Sequence, residues 1–250
     1  MSTDIKNIKN IKEKLKSLDV PDAYVQELLE HTSAAVRKLA ETFLQKKTAE
    51  SERLLKLSDY ENNLRQRKIN FIAGIDEVGR GPLCGPVVAA AVILPFDCVL
   101  WGADDSKRLS EATRLRLEQE IKSKALSWTV AGVNHRDIDK YNILNATYMA
   151  MKKALSRLDI NPEHLLIDAV KLPDCDTPQT PIIKGDSLSI SIAAASILAK
   201  CHRDRLMAKF DALYPQYDWV HNKGYGTEKH RAAIAEHGHS PIHRKSFVLK

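Results

Sequence analysis

What this 250-residue chain lacks narrows its class first. No stretch approaches the roughly 20 uninterrupted apolar residues that a membrane helix needs. The opening MSTDIKNIKN has no apolar core of the kind a signal peptide carries. A soluble, cytoplasmic protein with no membrane partner is therefore expected. Only four cysteines are present, Cys84, Cys98, Cys175 and Cys201, widely spaced and without a CxxC pair. Neither a zinc site nor a redox motif is signalled, and reduced, partly buried thiols are expected. Glycine is missing until Gly74, and Pro21 is the only proline before it. The first quarter of the chain therefore reads as helix. Internal repeats and low-complexity tracts are also missing.

What is present fits one sizeable α/β core with an appendage: 44% of positions are hydrophobic and 28% charged. The net charge of +6 and pI near 9.0 suit a polyanionic partner, although many basic proteins bind no nucleic acid. In the appendage, Ile5, Ile8, Ile11, Leu15 and Leu18 recur at helical spacing between lysines. Val25, Leu28, Leu29, Val36, Leu39, Phe43 and Leu44 continue the pattern, and Pro21 suits the first turn of a second helix. From Lys46 to Arg67 the periodicity weakens into a charged solvated helix or linker. Residues 1–68 thus read as a helical extension and 69–250 as the main domain. The lysine-rich face either touches a phosphate backbone or is merely solvated.

The main domain turns on FIAGIDEVGRGPLCGPVVAAAVIL, residues 71–94. Phe71, Ile72 and Ile75 before the polar centre, and Val87 to Leu94 after it, have the β-branched character of strands. Gly79 and Gly81 permit a sharp turn, and Pro82 fixes its exit. A helix is expected from about Glu111 to Ala125 after Ser110, a strand over Trp128–Val133, and a long amphipathic helix starting at Asn134 or Asp137. HLLIDAV at 164–170 is a short apolar strand ending in Asp168, and TPIIKGD carries Ile182 and Ile183 into Lys184, Gly185 and Asp186. A further helix follows, with small residues Ala193–Ala195 for close packing and a basic side of Lys200, His202, Arg203 and Arg205. The last expected helix spans about Thr227 to Glu236.

Taken alone, the Asp76–Glu77 pair reads as a solvated loop opening. Its meaning changes because three apolar segments end in acids: Asp76 with Glu77, Asp168 and Asp186. Neighbouring strands would bring those ends to one edge of a sheet, where open α/β sheets place ligands. Four carboxylates together repel unless divalent cations neutralise them, and oxygen-only ligands favour Mg²⁺ or Mn²⁺ over Zn²⁺. Two such ions can orient a water and stabilise a leaving oxygen at a phosphodiester. Strict strand alternation, however, sends Asp76 and Glu77 to opposite faces. Either the strand ends at Asp76 and the chain bends, or one acid has another job. His221, His230, His239 and His243 are irregularly spaced and read as loop residues facing solvent or phosphate, without a catalytic part.

GIDEVGRGPLCGPVVAAAV, DSKRLS, LLIDA, KGD followed by SIAAASILAK and HRD, and NKGYGT followed by HR resemble, in that order, bacterial ribonuclease HII. The resemblance implies a ribonuclease H-like fold, α/β, with a central mixed five-stranded sheet flanked by helices. It further implies an endonuclease that cuts the RNA strand of RNA·DNA hybrids and incises 5′ to single ribonucleotides in duplex DNA, in ribonucleotide excision repair and DNA replication. Products would carry a 5′-phosphate and a 3′-hydroxyl. The family's catalytic, metal-binding acids fall on Asp76, Glu77, Asp168 and Asp186, holding two Mg²⁺ or Mn²⁺ ions. Its ribose-reading GRG falls on Gly79, Arg80 and Gly81, and its junction tyrosine on Tyr225. Lys107 and Lys184 become phosphate contacts, and a monomer is expected. The related ribonuclease HIII usually carries a sheet-containing N-terminal domain and a glutamate as fourth acid. Here a helical extension and the Asp186 aspartate stand in those places. Two rivals remain at this level: a nuclease of the same fold acting on all-DNA substrates, and a nucleic-acid-binding protein whose acids are structural.

Overall fold

The computed structural model describes residues 7–247; the expected helical position Ile5 lies outside them. The chain divides into two compact units, Met1–Lys56 and Leu57–Lys250. In the first, α1 (Ile8–Lys14), α2 (Asp22–Leu29) and the greater part of α3 (Ala34–Leu57) enclose a small core of Ile11, Val20, Val25, Leu28, Val36, Ala40 and Phe43. The side chain of Asn7 caps α1 by accepting from the Lys9 amide at 2.9 Å. Pro21 sits one position before α2 rather than inside its first turn.

The second unit contains α4 (Asp59–Gln66), β1 (Ile72–Val78), β2 (Val87–Ile93), α5 (Glu111–Lys124), β3 (Ser127–Val133) and α6 (His135–Leu155). After these come β4 (His164–Asp168), β5 (Gln179–Ile182), α7 (Ile190–Leu213), α8 (Trp219–Asn222) and α9 (Glu228–His237). The five strands form one mixed sheet in the order β3-β2-β1-β4-β5. β1 and β2, and β2 and β3, run antiparallel, whereas β1, β4 and β5 run parallel. Every residue of β2, VVAAAVI, is buried, as a strand covered on both faces requires.

Alternation divides the sheet between two helices. Ala73, Ile75, Leu165 and Ile167 join the core that α6 covers with Ile138, Ala146, Ala150, Met151 and Ala154. Ile72 and Leu166 point the other way, against Ile192 of α7 and Leu64 of α4. α7 lies so close to β1 that a Cβ on Gly74 would stand 2.1 Å from the carbonyl carbon of Ser191. Only glycine permits that approach, which sets α7 directly over the strand carrying Asp76.

Two expectations change here. The 46–67 segment is helical, in α3 and α4, but not merely solvated, because the α4 carboxylate Glu61 is fully buried. Its Oε1 accepts from the Ser189 hydroxyl at 2.6 Å and the Ser191 amide at 2.9 Å. Those groups begin α7, where unpaired N–H donors and the helix dipole favour a negative charge. Nor is the polar side of α7 a free basic face. Arg203 is fully buried, Lys200 bonds Asp204 at 2.8 Å, and Arg205 makes two 2.6 Å bonds to Glu118 of α5.

Candidate active site

The parallel register of β1 and β4 pairs Ile75 with Ile167, so the next residues, Asp76 and Asp168, stand level. Both follow the alternation that faces α7. Asp76 accepts from the Ser196 hydroxyl of α7 and, at 2.7 Å, from the Glu77 amide. Asp168 Oδ1 accepts from the Gly185 amide at 2.7 Å, which ties the end of β4 to the turn carrying Asp186. Asp186 itself lies not at a strand end but in a 3₁₀ turn, Gly185–Ser187, entered through the left-handed Lys184 (φ 58°).

β1 continues to Val78, so the strand does not end at Asp76, and alternation turns Glu77 to the α6 face. Glu77 nevertheless feels the charge of Asp168 across the end of the short neighbouring strand. Its Oε1 pairs with Arg80 at 3.3 Å, whereas its Oε2 is buried without a hydrogen-bond partner.

Burial first, then the charges of Glu77 and Asp168, hold the Asp76 carboxyl well above the usual carboxylate range. Glu77 is raised by burial and by Asp168, against the opposing pull of Arg80. Asp186 is raised by burial and by Asp105, with which it shares a hydrogen bond, and by Asp168. Lys107 loses some basicity to burial but is raised on balance by Asp105, Asp186, Asp76 and Asp168; its Nζ stands 4.0 Å from Asp186. One lysine does not neutralise this group. A set of oxygen donors with surplus negative charge and one orphaned, buried carboxylate oxygen fits a hard divalent cation. The sequence reading did not single out Asp105, although it lies two residues before Lys107 in DDSK.

The remaining expected residues adjoin this acidic end. Gly79 (φ 93°) has no room for a side chain: a Cβ would stand 2.3 Å from Arg203 Nε and 2.7 Å from the Pro86 carbonyl oxygen. At Gly81 a Cβ would lie 3.6 Å from the ring of Tyr225, so the GRG turn and Tyr225 are neighbours. Tyr225 is 43% exposed, more than a packing role requires. Lys184 is exposed.

The two loops are held from beneath by buried cations that the sequence did not reveal. Arg244 donates to the carbonyls of Gly79, Arg80 and Gly85, and Arg203 to those of Cys84, Pro86 and Lys223. His230 and His243 are also buried rather than solvent-facing, with Cys84 beside them. These three residues offer nitrogen and sulfur atoms within 4.8 Å of one another. They do not read as a metal centre: His230 Nε2 already accepts from Trp219, and burial pushes the Cys84 thiol up to about 12, away from the thiolate a metal needs.

The family model described as Ribonuclease HII matches residues 73–250. A ribonuclease HII of Ruminiclostridium cellulolyticum is 50% identical over 246 residues, covering 96% of each chain. One of Clostridioides difficile is 47% identical over 248 residues, covering 97% of each. Among solved structures, the ribonuclease HII of Archaeoglobus fulgidus, determined in complex with PCNA, superposes with a TM-score of 0.61 at 25% identity. That match covers 72% of this chain and 96% of the other.

Proposed function

The chain belongs to the ribonuclease HII family, a family of metal-dependent ribonucleases, and from that premise we propose an endonuclease acting on the RNA strand of RNA·DNA hybrids. On this reading it also incises 5′ to single ribonucleotides embedded in duplex DNA, leaving 5′-phosphate and 3′-hydroxyl ends. One observation carries the proposal most directly. Glu77 bonds Arg80 of the GRG turn while feeling the charge of Asp168, so the acidic group and the turn suited to reading ribose are joined through one carboxylate.

Asp76, Glu77, Asp168 and Asp186 would hold Mg²⁺ or Mn²⁺, two ions during catalysis. Such ions, when bound, supply the charge that activates water and stabilises a leaving phosphodiester oxygen. The chain's own residues do the positioning. Main-chain groups of Gly79, Arg80 and Gly81 approach the sugar edge, and the exposed Tyr225 ring packs on the ribose with its hydroxyl toward the 2′ oxygen, the group that separates RNA from DNA. Lys107 and Lys184 bind flanking phosphates. The protein is taken to work as a cytoplasmic monomer; among the described residues no helix is long and apolar enough to cross a membrane.

The test incubates the purified protein and Mg²⁺ with a hybrid duplex, a DNA duplex containing one ribonucleotide, and an all-DNA duplex. Cleavage of the first two with 5′-phosphate ends is expected. Uncut hybrid, 2′,3′-cyclic phosphate ends, or equal cutting of the all-DNA duplex would overturn the reading.

A further inference from the structure

Beneath the substrate-reading loop lies a chain of hydrogen bonds whose direction is fixed by its two ends. The carbonyl of Tyr225 can only accept, so His230 Nδ1, 2.9 Å away, carries a proton and donates. Its Nε2 is then an acceptor, and receives the indole N–H of Trp219 at 3.0 Å. His243 Nε2, 3.1 Å from the same atom, must donate. That leaves His243 Nδ1 bare, as required by the Ser240 amide, which donates to it at 2.8 Å. Each imidazole is neutral, each in the tautomer its neighbour demands.

The position of this relay gives it a use. Burial disfavours the charged form of both rings, and at His243 the neighbouring imidazoles add to it, so the proton arrangement is stable around neutrality. Its far end is the backbone of Tyr225, whose ring lies exposed beside Gly81. The same segment is fixed by the Tyr225 amide donating to Asn222 and the Thr227 amide donating to Tyr225. Filling a core would need rings of this size but not one donor direction.

We propose that His230 and His243 are positioning residues for ribose recognition: the Ser240–His243–His230 relay sets the Tyr225 backbone and thereby the ring against the GRG turn. This rests on Tyr225 being a ribose contact. It assigns the two histidines no contact with substrate and no metal.

Amide side chains separate the relay from mere packing, because the asparagine nitrogen takes the place of Nδ1 and the glutamine nitrogen that of Nε2. At position 230 the needed donor is Nδ1, so His230→Asn should keep kcat/KM on a single-ribonucleotide duplex within about threefold, and His230→Gln should lower it about tenfold. At position 243 the needed donor is Nε2, so the preference reverses: His243→Gln is retained and His243→Asn lost. Thermal melts establish that each full-length variant is folded, and either pair of substitutions suffices if one variant is not.

The second arm combines the more damaging substitution with Tyr225→Ala. A residue acting through Tyr225 adds no further loss to Tyr225→Ala. Additive losses, or equal effects of asparagine and glutamine at both positions, would overturn the relay while leaving Tyr225 as a substrate contact. Wild-type cleavage by Tyr225→Ala itself would instead overturn the ribose-contact reading, and the positioning role with it.

Discussion

Arg244 donates from Nη2 to the carbonyl oxygen of Gly79 over 2.6 Å, joining residues 165 positions apart. Its Nη1 and Nε reach the carbonyls of Arg80 at 2.9 Å and Gly85 at 3.0 Å. The buried guanidinium thus spans the turn with all three nitrogens on backbone oxygens. Burial, and then the charge of Arg203, bring its pKa down to about 9, still cationic near neutrality. Arg244→Ala strands three carbonyls, each costing about 1–3 kcal/mol when buried. A loss of at least about 3 kcal/mol is therefore expected in urea unfolding. Arg244→Lys should recover less than half of it, because one ammonium cannot reproduce the planar fork. A loss below about 1 kcal/mol for the alanine variant would show that the turn is held by other means.

The glycines flanking Arg80 should separate stability from activity. At Gly79 the backbone has φ 93° and a Cβ would collide with Arg203 and Pro86. Left-handed strain alone costs about 1–2 kcal/mol for an alanine, and the collision adds to it. Gly79→Ala should lower the melting temperature and abolish cleavage together. At Gly81 the space is ordinary, 3.6 Å to the Tyr225 ring. Gly81→Ala should melt with the wild type, and only hybrid cleavage should fall. Equal loss of stability in both variants would contradict the difference in their surroundings.

The acids make an opposite prediction for the metal-free protein. The Asp76 carboxyl is raised by burial and by Glu77 and Asp168 from its ordinary 3.8. As pH rises from acid, the unfolded chain ionises first and the folded chain only later, so stability present below the ordinary pKa is lost as pH passes through the raised one. With divalent ions removed at neutral pH, Asp76→Asn should therefore melt above the wild type. Added Mg²⁺ should raise the wild-type melting temperature and leave the variant nearly unmoved. Cleavage should drop on the order of 10³-fold, the equivalent of several kcal/mol of lost transition-state stabilisation. A destabilised metal-free variant would mean that Asp76 is a structural acid.

The carboxylates were legible because strand-ending acids announce themselves: an apolar run stops, and a charge follows. The sheet was legible for the same reason, with β3 expected from Trp128 and found from Ser127, and α5 expected to Ala125 and found to Lys124. Asp186 was found in sequence but not in geometry, since a turn through a left-handed lysine replaces the expected strand end. Glu61, Arg203, Arg244, His230 and His243 were misread or passed over for one physical reason. Charged and imidazole side chains belong to the surface by default, and only the carbonyls, amides and hydroxyls that distant segments bring to them reverse that default. No periodicity along the chain records such partners.

His243 links this buried polar layer to pH. Burial, His230 and His239 hold its pKa down to about 4 from an ordinary 6.5, with His135 adding to the effect. Both states are neutral above the ordinary value, so the stability is fully present there. Between about pH 6.5 and 4 the unfolded chain takes up a proton that the folded chain refuses, and on the order of 3 kcal/mol is lost. The difference in urea midpoint between wild type and His243→Gln should therefore shift in favour of the variant on going from pH 7 to pH 4.5. A difference independent of pH would place the proton uptake elsewhere.

Residues 57–67 belong to a stretch that reads in sequence as a charged solvated helix or linker, but Glu61 caps α7 and Leu64 packs against Ile72, Leu166, Ile182 and Ile192. Arg65 adds bonds to the carbonyls of Leu94, Pro95 and Phe96. A chain starting at Leu57 keeps all of these. One starting at Ile69 exposes the apolar cluster, worth about 1.5–3 kcal/mol for Leu64 alone, and leaves the buried Ser191 amide without its acceptor, at about 1–3 kcal/mol. Domains are stable by only about 5–15 kcal/mol, so the shorter chain should lose much of its margin while the longer retains a cooperative transition. Hybrid cleavage should follow the same division. The expected result is an active protein from Leu57 and a weakly folded, poorly active one from Ile69. Equal stability of the two would show that the α4 contacts contribute nothing, and unfolding of both would tie the catalytic unit's stability to residues before Leu57.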